Sequence, residues 1–82
     1  MKEKIKVVVR NKTEILFDAD CSSVSSKNAL GAFDVLPEHI NYMSLIEGEV
    51  LACEVSGKIW KGVCERGMVR VSSNAVEVIF FS

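Results

Sequence analysis

The chain has one proline and one histidine, and they stand almost side by side, at Pro37 and His39. A lone histidine leaves general acid–base chemistry a single ordinary candidate, with no second imidazole to complete a metal site. Three cysteines, Cys21, Cys53 and Cys64, form no C-x-x-C pair, which excludes the usual start of a zinc or redox centre. Their odd number and wide spacing fit reduced, half-buried fillers of a cytosolic protein. Charge of one sign is also missing: the net charge is −1, which gives no basis for electrostatic capture of nucleic acid or anionic lipid. No signal peptide precedes the first strand pattern, and no apolar run approaches the roughly 20 residues a membrane helix needs, so direct membrane insertion is not expected. No window holds a helical period for the ten or more residues a helix assignment requires.

The rest is a small, apolar, strand-rich chain. Its 82 residues make one domain, 1–82. A chain of this size buries roughly 60–65% of the surface its unfolded form exposes, so the core is thin. The hydrophobic share is 49%, which leaves apolar surface for a partner as well as for the core; small domains also show some apolar surface without one.

Alternation with a period of two runs through most of the sequence. Residues 4–10 set Ile5, Val7 and Val9 against Lys4, Lys6 and Arg10. Residues 14–26 set Ile15, Phe17, Ala19 and Cys21 against Leu16, Asp18 and Asp20, over a length that invites a bend or bulge. Turns are expected at 11–13, 27–31, 47–48, 56–58, 66–67 and 73–75. Between them lie extended segments at 32–36, 40–46, 49–55, 59–65, 68–72 and 76–81. The sum is an all-β fold: a β-sandwich of two mainly antiparallel sheets with about eight to ten short strands.

The candidates for chemistry weigh against catalysis. His39 has only Glu38 adjacent, and Cys64 has no evident base. Asp18, Asp20 and Asp34 lack the spacing of a calcium loop. No glycine-rich loop precedes a helix, so no phosphate cradle and no cofactor is expected. Trp60 suits a position half in the core and half at an edge. A stronger signal is the apolar stripe Phe33, Val35, Leu36, Ile40, Tyr42 and Met43 around Pro37. Alternation cannot turn all of these inward, so some are expected to be exposed beside a rigid turn.

Several blocks resemble one known family. "GAFDVLPEH" (31–39) is similar to the G-x-F-G-[IL]-L-P-x-H signature of the epsilon subunit of F-type ATP synthases. The spacing from Val24 to Gly31 fits that family's V-T-x-P-x-x-x-G run. "LIEGEV" (45–50) resembles L-x-x-G-x-[VI], and "RGMVRVSSNAVEVIF" (66–80) resembles the closing hairpin G-G-[FIV]-x-E-V-x-x-N-x-V-T-V-L. Asp34 stands where the family usually has glycine, Arg66 replaces the first glycine of the closing pair, and Arg10-Asn11 occupies the place of a usual Thr-Pro.

The resemblance implies the family's N-terminal β-sandwich domain, in a non-catalytic rotor subunit. It implies two partners, the gamma subunit of the central stalk and the membrane c-ring, and a peripheral location on the cytoplasmic face of the inner (plasma) membrane. It also implies that the loop edge faces the c-ring, with Gly31, Phe33, Asp34, Leu36, Pro37, Glu38, His39, Ile40, Tyr42 and Met43 as the partner interface. Family members usually continue into a pair of C-terminal helices; the sequence stops after its last strand, so a short form without inhibitory helices is expected. Two readings of other classes stand beside this one. A small nucleic-acid-binding β-barrel would need aromatics on a basic groove, and a hydrolase would need Cys64 and His39 together.

Overall fold

A computed structural model describes residues 4–36, 41–73 and 75–81. Six strands build it: β1 (Ile5–Arg10), β2 (Ile15–Asn28), β3 (Gly31–Val35), β4 (Tyr42–Glu54), β5 (Ile59–Ser72) and β6 (Ala75–Phe80). They hydrogen-bond in the order β1-β6-β5-β4-β2-β3, and β1 also pairs with β2. The sheet therefore closes on itself, with β3 attached outside the ring along β2. All pairings are antiparallel except β1 with β6. The expected all-β, mainly antiparallel class holds. The expectation of eight to ten short strands does not, because β4 and β5 run straight through the expected turns at 47–48 and 66–67, each joining two expected strands into one.

Bulges explain the difference. Along β4, Ile46 pairs with Gly67 and Gly48 with Cys64, so β5 carries one residue more than β4 over this interval. The burial pattern of β5 shifts there: Cys64 is buried, Glu65 and Arg66 are both exposed, and then Gly67, Val69 and Val71 are buried. Glu65-Arg66, both set against the single Glu47, is thus a bulge in a continuous strand, and Gly67 beyond it is in regular register. Gly48, paired with Cys64 next to the bulge, takes φ 87°, a left-handed value that favours glycine. Both glycines look like turn formers locally, but pairing across the sheet settles their role. In β2 the shift between Cys21 and Ser23 moves the inward phase from Phe17, Ala19 and Cys21 to Val24 and Ser26. That is the bulge its length had suggested.

The remaining turns are where the sequence puts them. Asn11 Oδ1 accepts from the backbone N–H groups of Thr13 and Glu14, both at 2.9 Å, closing the β1–β2 turn as Asx side chains do. Asn28 Oδ1 likewise accepts from Leu30 N–H at 2.9 Å. Gly57, at φ 101°, turns β4 into β5.

The core lies inside the ring and is rich in valine, a β-branched side chain suited to a pleated surface. Val7, Val9, Val50, Val69 and Val78 are fully buried, as are Cys21 and Ala52. Each buried valine contributes roughly 1.5–3 kcal/mol relative to exposure. Two aromatic pairs pack against this core. Phe17 and Trp60 stack with centroids 5.1 Å apart, and Phe33 meets Tyr42 edge-on at 6.3 Å. Trp60 lies near one end of β5, while Tyr42 pairs with Val71 near the other, so the pairs flank the core at opposite ends.

Candidate functional site

The expected interface segment divides in the structure. Pro37, Glu38, His39 and Ile40 lie outside the described residues. Of the others, Phe33 and Tyr42 point inward and contact each other, and both are only half-buried. Gly31, at φ 124°, begins β3 and leaves room for the tight return from β2. Asp34 is exposed in regular strand, and its Oδ1 accepts from Ser25 Oγ at 2.7 Å. It needs no glycine-like backbone, so its departure from the epsilon pattern costs the fold little. Leu36 and Met43 are the exposed apolar members, at 52% and 64%. They are not neighbours on one strand pair: Leu36 follows the far end of β3, whereas Met43 lies on β4 opposite Arg70.

Polar contacts fix this end of the sandwich. Asn41 Oδ1 accepts from Ser73 N–H at 2.9 Å, which ties the start of β4 to the β5–β6 turn, where Ser73 has φ 45°. Asn28 Nδ2 donates to Ser44 Oγ at 3.1 Å, bridging the gap where β2 leaves β4. The edge is therefore held from three strands, a rigid support for apolar side chains that face outward.

A second apolar surface was not identified from the sequence. Leu45 pairs with Met68, and Met68 with Ile79, so the three side chains stand in one outward row across β4, β5 and β6. Met43 adjoins the row on β4. Phe81, whose N–H donates to Arg66 O at 2.8 Å, continues it beyond β6. Leu45 is 70% exposed. Alternation marks each residue as outward, but only the register brings them together.

Beside that row stands a charged group. Arg10 Nε and Arg70 Nη2 each donate at 2.8 Å to a different oxygen of Glu77. Cross-strand pairs Lys4–Asp20, Lys6–Asp18 and Lys61–Glu49, at 3.3–3.6 Å, occupy other outward positions. Asp18 and Asp20 are thus engaged by lysines, and among the described residues no three His, Cys, Asp or Glu side chains gather as a metal site would require.

Cys21 and Cys64 are poorly suited to act as nucleophiles. Burial pushes Cys21 up to about 11, with Glu54, Cys53 and Asp20 adding to the effect. Burial also raises Cys64, partly countered by a hydrogen bond with the Gly48 backbone. An activated thiol shifts the other way. Four of the six aromatics are engaged in the two core-packed pairs and Phe80 is buried, which leaves Phe81 as the exposed ring and no stacking platform among the described residues. Among the described residues no helix is long and apolar enough to cross a membrane.

A family model described as the ATP synthase delta/epsilon chain β-sandwich domain matches residues 4–81, nearly the whole chain. The chain belongs to this family. Similar folds occur in solved ATP synthase structures. A chain in the Euglena gracilis mitochondrial ATP synthase structure of OSCP, F1 and c-ring superposes with a TM-score of 0.88 at 16% identity, covering 96% of this chain and 51% of that one. A chain in the Tetrahymena thermophila mitochondrial ATP synthase central stalk and c-ring superposes with a TM-score of 0.77 at 17% identity, covering 99% and 66%. The delta/epsilon domain described here thus spans about half and about two thirds of those chains. At such identities the likeness is one of fold. No curated protein sequence matches.

Within the delta/epsilon fold, the departures from the epsilon pattern find physical places. Arg66 occupies an exposed bulge position that accepts a long side chain. Gly67 is retained where a β-carbon would lie 2.7 Å from Ile79 O.

Proposed function

We propose that this chain is a non-catalytic rotor subunit of a membrane rotary ATP synthase. Part of the sandwich binds the gamma subunit, and the edge around residues 31–43 faces the polar loops of the c-ring. It acts as a clamp, adding buried area so that shaft and ring turn together and ion flow is coupled to ATP synthesis. Nucleotide chemistry belongs to other subunits, and the chain attaches peripherally at the cytoplasmic face of the membrane through its partners.

Membership of the delta/epsilon family over residues 4–81 carries this reading. The structure adds a closed, valine-packed body with exposed Leu36 and Met43 at its rim. A close-packed interior transmits strain with little give, which suits a coupling element. A stable contact of this kind buries about 1,200–2,000 Å² in total, more than one loop supplies, so both the edge and a sheet face are needed.

Gel filtration with the cognate gamma subunit tests the clamp. Co-elution at micromolar concentration is expected, and separate elution counts against it. Leu36→Asp is expected to weaken capture of the gamma-bound chain by the c-ring while its far-ultraviolet circular dichroism stays unchanged. Unchanged capture places the ring-facing edge elsewhere.

A further inference from the structure

The flank of the sandwich sealed by Phe17 and Trp60 leaves two strand edges open, one on β5 and one on β2. Glu54 N–H donates to Lys58 O at 2.8 Å, which sets the alternation along the β4–β5 register. Trp60, Gly62 and Cys64 turn their backbone groups toward β4, and Ile59, Lys61 and Val63 turn theirs away. β6 takes up that side of β5 only from Gly67 onward. On β2, Val55 N–H donates to Asp20 O at 3.2 Å, on the side away from β1, so Asp18 turns its backbone groups to that side as well. β4 pairs there only from Cys21 onward. Among the described residues no strand takes up the backbone groups of Lys61 or Asp18.

The two edges carry opposite charges. Lys61 on β5 and Asp18 on β2 are both exposed on the outer faces of their sheets. Each already belongs to an outward ion pair, Lys61 with Glu49 at 3.4 Å and Asp18 with Lys6 at 3.6 Å. Exposed apolar side chains flank both, Ile59 and Val63 on β5, Ile15 and Leu16 on β2.

We propose that the free chain forms a two-fold dimer through this flank, with the β5 edge of each copy against the β2 edge of the other. The axis lies lengthwise between the sheets, and the unlike edges meet antiparallel. Lys61 stands opposite Asp18 of the second copy, and both side chains face outward, as one paired sheet requires. The two ion pairs then join into a single row of alternating charge, Glu49, Lys61, Asp18 and Lys6, across four strands and two copies. Val63 comes beside Leu16. Pairing of like edges is a poorer fit, because it sets Lys61 against Lys61. The contact occurs twice, so the dimer hides all four open edges and guards them against mispairing. A five-residue edge is about 17 Å long, and the two edges of one flank lie about 10 Å apart. That footprint is near the lower limit of specific interfaces, so the dimer is a micromolar one. The flank carries none of residues 31–43, and the inference goes beyond the stalk reading without depending on it.

The test follows the full chain by sedimentation velocity from about 10 to 500 μM, where a change from monomer to dimer is expected. Lys61→Glu and Asp18→Lys are each expected to weaken the dimer about tenfold or more, because each sets like charges together at both contacts. An equal mixture of the two variants is expected to dimerise again, since each then meets the opposite charge at both contacts. Far-ultraviolet circular dichroism matching the parent shows that the fold is kept. Amide exchange at Lys61 is expected to slow as the parent is concentrated. A parent that stays monomeric throughout overturns the dimer. Single variants that dimerise like the parent, or a mixture no better than either alone, overturn the pairing of unlike edges. Exchange at Lys61 that is independent of concentration overturns the strand contact.

Discussion

The six-membered ring of Trp60 lies over Gly62, so that a β-carbon on Gly62 would come within 2.5 Å of Trp60 Cη2. The same indole stacks on Phe17 at 5.1 Å. Gly62 therefore provides the space that keeps the ring against the end of the core. Gly62→Ala is expected to displace the indole, loosen the stack and destabilise the fold by about 1–2 kcal/mol. A shifted tryptophan emission maximum and a melting temperature lowered by several degrees would show it; unchanged emission would mean that the ring is not so held.

Gly67→Ala is expected to cost more, about 2–4 kcal/mol. Its β-carbon would meet the Ile79 carbonyl at 2.7 Å, and that oxygen belongs to the neighbouring strand, where it cannot swing aside as a side chain does. Urea denaturation of the two alanine variants side by side checks the order.

Stability is expected to fall in alkali through the buried thiols. Cys21 titrates near 11 in the folded chain, above its ordinary value of 9.0, and Cys64 is shifted the same way. Below 9 the neutral thiol is present in both states and the contribution is complete. Between 9 and 11 the unfolded chain loses its proton first, so unfolding is favoured. For Cys21 alone the loss approaches about 2–3 kcal/mol. Urea titrations at successive pH values should show a decline over this range that is shallower in Cys21→Ala; an equally steep decline in that variant would assign the slope to other groups.

Glu77→Gln is expected to cost less than about 1 kcal/mol, although it weakens two ion pairs at once. Arg10 and Arg70 are both largely exposed and regain water as they lose the carboxylate. The stability gap between variant and parent should narrow as salt is raised from low to physiological concentration.

The sequence carries the period of this fold more clearly than its continuity. Ile5, Val7 and Val9 announce an inward face, and Asn11 and Asn28 announce turns by the hydrogen bonds their short amides make. Arg66-Gly67 and Gly48 mislead because positive φ or close approach serves a bulge as well as a turn. Pairing between β4 and β5 decides between them, and pairing is not a local property. The same limit applies to the site. The stripe around Pro37 shows that apolar residues outnumber the inward places available, and Leu36 and Met43 are indeed exposed. The alignment of Leu45, Met68 and Ile79 depends on the register of three strands, which no single window contains.

The parallel seam between β1 and β6 joins Lys6 to Ala75, nearly the whole length of the chain apart. A nascent polypeptide still lacking its final strand cannot close the ring, whatever its earlier hairpins have done. Folding of this domain is accordingly bound to be slow for its size and completed only after synthesis of the last strand, with the exposed flanks of β1 and β5 open to mispairing until then.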